Sequence, residues 1–186
     1  NCYDNTYDFY LHFDSQSNQV DVKQLRYKLN SVLPASIVIT ELRKVSIEFH
    51  ARFSAVLREY KYYINLDKDP FRKNSWWVRQ PLDVKSMEIA SEFLLNYRDF
   101  TSFSKSHTDV KTNLCLIDQV SVKQVKSYIT ITIRANRFLR NMVRAIVGTL
   151  VEIGLGKRTP EEMKLIIEAK DRSAAGSSAP ARGLFL

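Results

Sequence analysis

Residues 128–156, YITITIRANRFLRNMVRAIVGTLVEIGLG, constrain the fold most tightly, because their hydrophobic period changes from two to about 3.6 within a few positions. Ile129, Ile131 and Ile133 alternate with Thr130 and Thr132, which is the pattern of a half-buried strand ending near Arg134. From Arg137 onward, Leu139, Met142, Val143, Ile146, Val147, Leu150 and Val151 recur at three- and four-residue spacings, which predicts a helix with a buried stripe. Gly154 and Gly156 supply its stop. Arg137, Arg140, Asn141, Arg144 and Gly148 form a second stripe. In-line guanidiniums beside a glycine, where a backbone or ligand can come close, suit phosphates or a carboxylate; the competing reading is a solvated helix face.

The segment before this stretch, residues 114–125, reads as a strand that returns into it across residues 124–127. Two strands joined by so tight a turn pair antiparallel. That favours an α+β fold, with a mixed and mainly antiparallel sheet carrying helices on one face, over a doubly wound parallel sheet.

Upstream, Phe9, Leu11 and Phe13 alternate with polar neighbours and predict a short strand. Asp21 then caps a helix expected to bury Leu25, Leu29 and Val32 and to stop near Pro34. Residues 37–49 read as extended chain, and residues 56–64 as a strand with Tyr60 and Tyr62 on one face and Lys61 and Tyr63 on the other. Tyrosines interleaved with Arg58 and Lys61 suit base stacking and phosphate neutralisation, or simply the propensity of Tyr for sheets. The charged loop 67–74 with Pro70 marks a boundary between residues 1–69 and 70–186, each an α/β half. Beyond it come a short extended piece at Trp76 and Trp77, and a helix capped by Asp83 that faces Met87, Ala90, Phe93 and Leu94 to a core. A polar loop, 100–113, carries Lys105, His107, Asp109 and Lys111 and has the composition of a substrate-holding loop. Thr159, Pro160 and Glu162 open a last helix over 161–169. The small-residue tail that follows is expected to be flexible up to Leu184–Phe185–Leu186, an edge strand or ligand contact.

The formal net charge of +8 favours a polyanionic partner, most often nucleic acid. Cys2 and Cys115 lack the spacing of a disulfide framework or zinc site and fit a reducing cytosol. His12, His50 and His107 are dispersed in sequence and read as no metal site. No apolar run approaches the roughly eighteen residues of a membrane span.

The stretches FHARFSAVLREYKYYI, DFTSFSK, RFLRNMVRAIVGTLVEIGLGK and EAKDRSAAGSSAPARGLFL, in this order, resemble the tRNA pseudouridine synthases of the TruA type, and the likeness runs from about Phe9 to Leu186. The resemblance implies a cofactor-free, homodimeric, cytosolic enzyme that converts uridine to pseudouridine in the tRNA anticodon stem-loop, around positions 38 to 40. It further implies that Tyr60 stacks on the target base and takes part in proton exchange, that Arg144 pairs with the catalytic aspartate, and that Leu184 packs the base pocket. Arg58 and Lys105 are expected as substrate contacts, and Arg137 and Arg140 as RNA contacts or plain surface. The sheet face left free of helices is expected to hold RNA, with Tyr60 on it.

One departure stands out. The aspartate of such enzymes lies in a GRTDAGVH-type motif a dozen or so residues before the stretch matching DFYLHFD, where this chain has NCYDNTY. Neither Asp4 nor Asp8 has the surrounding Arg-Thr and glycine. The sequence, which opens on Asn1, is therefore expected to begin inside a longer protein, and residues 1–186 alone to fold at least in part without making pseudouridine. The alternatives are a non-catalytic basic RNA-binding module and an α+β interaction domain whose arginines are solvated surface.

Overall fold

The computed structural model describes residues 9–16, 19–105 and 112–186. The chain divides into two compact units, Tyr10–Ala55 and a larger one containing Val56–Leu186. This division falls ahead of the tyrosine strand, whereas composition alone marks the loop at 67–74.

In the smaller unit, helix α1 (Val22–Val32) starts where expected, with the Asp21 carboxylate accepting from the Lys23 and Gln24 amides at 3.0 Å each. It buries none of its residues fully, and Val32 is 80% exposed rather than packed. The Asn30 side chain ties it to the extended chain beside it, donating to Ile39 O at 3.0 Å and accepting from Ile39 N at 2.7 Å. The expected strand at Phe9–Phe13 is not present, and these residues stay exposed (Phe9 63%, Leu11 71%, Phe13 53%). Alternation marks a surface that could be half buried, but a strand exists only when a neighbour completes its hydrogen-bond ladder, and among the described residues none does. His12 and His50, far apart in sequence, meet with ring centroids at 4.3 Å. Both Nδ1 atoms accept backbone amides: His12 from Ala51, and His50 from Arg52 and Phe53.

The larger unit is built on a sheet of order β2-β1-β4-β3, formed by β1 (Arg58–Asn65), β2 (Trp76–Trp77), β3 (Ile117–Val125) and β4 (Tyr128–Ala135). The β1–β2 pair is parallel; β1–β4 and β3–β4 are antiparallel. The β3–β4 hairpin turns through Lys126 and Ser127, with Lys126 at φ 55°. A last strand, β5 (Leu184–Phe185), pairs antiparallel with β1. The expected α+β architecture is therefore the one formed.

One sheet face presents Tyr62, Ile64, Ile129, Ile131 and Ile133, all fully buried. Their core cluster includes residues of α2 (Val84–Glu92), α3 (Met142–Gly154) and α4 (Glu162–Ala169). Asp83 caps α2 by accepting from Ser86 N at 3.1 Å. At the start of α4, Glu162 reaches back to accept from Thr159 N at 2.6 Å, as its capping-box spacing predicts.

The organising helix starts later than its periodicity implies. Asn141 adopts φ 69°, in the left-handed region that asparagine tolerates better than most residues, and this breaks the run. Arg137 and Arg140 therefore lie in the connection before α3, and the three-arginine helical stripe reduces to Arg144 and Gly148. Nor is α3 half solvated. Gly148 and Thr149 are buried along with the apolar stripe, because residues 176–179 run over the helix there. No helix among the described residues is long and apolar enough to cross a membrane.

Candidate active site

Residues 175–180 are small, and their sequence carries no periodicity, but they are tied to α3 along its length. Asn141 Nδ2 donates to Ser178 Oγ at 2.6 Å and Arg144 Nε to Ala179 O at 2.6 Å, while Ala179 N donates back to Arg144 O at 2.9 Å. Further along, Gly176 N donates to Thr149 Oγ1 at 3.0 Å and Ser177 N to Glu152 Oε1 at 3.1 Å. Arg172 holds the segment from its other side through Gly176 O and Ser178 Oγ, at 3.1 Å each. The tail is thus fixed rather than flexible, because each polar position on α3 finds a backbone or hydroxyl partner in it. Gly148 makes this approach possible: a Cβ there would lie 1.7 Å from Ser177 O.

The same segment seats Tyr62. Its ring is fully buried and its hydroxyl donates to Pro180 O at 2.6 Å. Gly183 passes so close that a Cβ would sit 2.8 Å from Tyr62 Cζ. Burial pushes the Tyr62 phenol far above the usual tyrosine range, against the pull of the Arg144 and Arg182 guanidiniums. The phenol therefore stays a neutral donor, and both cations lie within electrostatic reach of it. Tyr62→Phe leaves the Pro180 carbonyl without this donor. The expected cost is about 1–2 kcal/mol, read as a lower urea midpoint at unchanged slope.

Around Tyr62 the expected site residues gather. Leu184 is its β5 partner and is buried. Tyr60 lies two residues away on the same face, half-buried and edge-on to Phe138 at 5.1 Å. Tyr60 therefore belongs to the face that carries the helices. The expectation that it lies on the uncovered face is wrong, because it shares β1's period-two phase with the buried Tyr62. Among the described residues Arg144 makes no ion pair.

The other basic residues flank this cluster. Arg58 donates to Asn136 O at 3.0 Å, which ties the start of β1 to the connection before α3. Arg137 is half-buried near Cys115, lowering a thiol pKa that burial raises more strongly. Arg140 and Lys105 are both exposed and joined through backbone, Lys105 N to Arg140 O at 3.1 Å. His107, Asp109 and Lys111, like Cys2, Asp4 and Asp8, lie outside the described residues. Sequence reasoning did not single out Tyr62, Phe138 or Arg182, and read residues 175–180 as flexible, although all of them lie in the stretches that carry the family resemblance. Tyr62 had left a further signal, its shared phase with Tyr60. Among the described residues no group of three His, Cys, Asp or Glu side chains is placed to hold a metal ion.

Residues 94–186 match the family model described as tRNA pseudouridine synthase. Over 177 residues the chain is 48% identical to the tRNA pseudouridine synthase A of Bacteroides fragilis, an alignment covering 94% of this chain and 70% of that relative. The chain belongs to the tRNA pseudouridine synthase A family. The enzyme of the same name from Parabacteroides distasonis is 48% identical over 176 residues, covering 94% of this chain and 70% of the relative. That of Brevibacillus brevis is 45% identical over 179 residues, with 95% and 73% covered. Membership agrees with the α+β sheet and gives the cluster around Tyr62 a family context.

Proposed function

We propose that this chain forms the larger part of an enzyme that isomerises uridine to pseudouridine in the anticodon stem-loop of tRNA, around positions 38 to 40. The observation that carries the reading is the convergence of Tyr60, Arg144 and Leu184 about the buried Tyr62, in a chain of this family.

The reaction breaks the bond between ribose C1′ and uracil N1 and joins C1′ to C5. The proton on C5 leaves and N1 gains one, so atoms and electrons balance without a redox partner. A carboxylate must act near C1′ or the base, and the freed uracil must turn without escaping, which calls for a flipped nucleotide in a dry pocket. In this reading the Tyr60 ring offers its face to the base and its hydroxyl takes part in proton exchange. Leu184, already buried, supplies the apolar wall. Arg144 is anchored by Nε to Ala179 O, an orientation in which its remaining nitrogens can grip the catalytic aspartate. In this reading that aspartate is neither Asp4 nor Asp8, since NCYDNTY lacks the motif around it. Arg58, Lys105, Arg137 and Arg140 then serve the RNA backbone, and the enzyme works as a cytoplasmic homodimer without a cofactor.

The test uses tRNA carrying tritium at uridine C5, because that hydrogen is lost as the new bond forms. Full-length protein is expected to release it from the anticodon stem-loop positions, and a polypeptide of residues 1–186 to release none. Turnover by residues 1–186 alone would show that the nucleophile lies within them. RNA binding without release by the full-length protein would favour the non-catalytic module, a reading suggested by the basic charge and the absent motif.

A further inference from the structure

The sheet face turned away from the helices carries an aromatic and basic surface that the base pocket does not use. Residues paired across neighbouring strands point to the same face. Trp77 on β2 and Tyr128 on β4 both pair with Asn65, which places them in one row on this face. Tyr63, two residues before Asn65, stacks on Tyr128 with centroids 5.5 Å apart and planes at 16°. Phe185, opposite Lys61, meets Tyr63 edge-on at 5.1 Å.

Cations gather on these rings. The Arg72 guanidinium lies 4.1 Å from the Tyr128 centroid, and Arg79 and Lys68 lie 4.9 Å and 5.7 Å from that of Trp77. An open depression of about 810 Å³ lies between Tyr63, Phe71, Arg72, Lys73, Tyr128 and Phe185. Phe71, at its rim, is 94% exposed. Asp69 offsets part of the charge by pairing with Arg72 at 3.2 Å, but Lys68, Arg72, Lys73 and Arg79 outnumber Asp67 and Asp69. Interfaces between proteins deplete lysine at their centre, whereas rings interleaved with cations suit bases and phosphates.

We propose that this face binds a stretch of the substrate RNA outside the anticodon stem-loop, with nucleotides stacked against Phe71 and Tyr63 and phosphates held by Arg72 and Lys73. The proposal rests on tRNA being the substrate. Sidedness separates the two surfaces: Tyr60 and Leu184 face the helices, so a nucleotide on this platform is not the one held in the base pocket, and comparing whole tRNA with the isolated stem-loop tells which part of the RNA lies here.

The test compares full-length wild-type protein with a Phe71→Ala, Lys73→Glu double variant, both sites being exposed and outside the pocket. Affinity for whole tRNA is expected to fall about tenfold, and its log–log dependence on salt to become shallower by about one. Affinity for the isolated anticodon stem-loop, and its turnover, should be unchanged. Equal tRNA affinity in the two proteins, or an equal loss on the isolated stem-loop, overturns the proposal. So does a shift from dimer to monomer in sedimentation with an unchanged salt slope, which would assign the face to a second copy. Wild-type protein that binds no tRNA overturns the functional reading and this proposal together. Normal wild-type binding with an indifferent variant overturns this proposal alone.

Discussion

Gly148→Ala is expected to destabilise the larger unit by about 3 kcal/mol, at the upper end of overpacking costs, and to lower the melting temperature by roughly 6–12 °C. Two effects compete at this position. Alanine is the better helix former by about 1 kcal/mol, so in an open helix the change would stabilise. Here the added methyl would sit 1.7 Å from Ser177 O and 3.3 Å from Ala179 N, and those atoms belong to backbone that cannot rotate aside. Relief requires residues 176–179 to lift, which strains the bonds from Arg144 to Ala179 and from Gly176 to Thr149. The loss therefore exceeds the gain. Because the obstacle is a carbonyl, Ser177→Gly should not rescue the variant. A melting curve unchanged or raised in Gly148→Ala would show that the segment does not bear on the helix as described.

Arg144→Lys in the full-length enzyme is expected to reduce turnover roughly 10²- to 10³-fold, the size associated with breaking a desolvated ion pair, while changing tRNA affinity less than about threefold. Lysine keeps the charge but loses the planar fork, in which Nε is committed to Ala179 O and the terminal nitrogens remain for a carboxylate. A single ammonium cannot serve both partners in that geometry. The measurement is single-turnover tritium release beside a binding isotherm. Equal losses in both would make Arg144 an RNA-binding cation, and a normal rate would remove it from the site. Stability should be followed in parallel, since the same substitution loosens Ala179.

How much of this was legible before the fold was known depends on the range of the interaction. The caps at Asp21, Asp83 and Glu162 were readable because each bond spans two or three residues. The β3–β4 hairpin was readable because its turn is two residues long. The expected strand at Phe9–Phe13 did not form because alternation describes one chain and a ladder needs two. The arginine stripe was over-read because apolar spacing continues smoothly through Leu139, while the break lies in a single backbone angle at Asn141. Tyr60 was assigned to the wrong face for a related reason: period two says which residues share a face but not which face is covered.

The local periods, the caps, the basic charge and the family motifs were determined by the sequence itself, since each depends on residues close along the chain or on residue identity alone. The enclosure of α3, the seating of Tyr62 beneath Pro180, and the placing of Arg144 and Leu184 beside it were decided only by the tertiary structure. They depend on backbone from residues 175–185 returning across more than a hundred positions to Tyr62. Small residues and glycines permit that return without announcing it, because close packing of backbone on helix leaves no hydrophobic pattern to read.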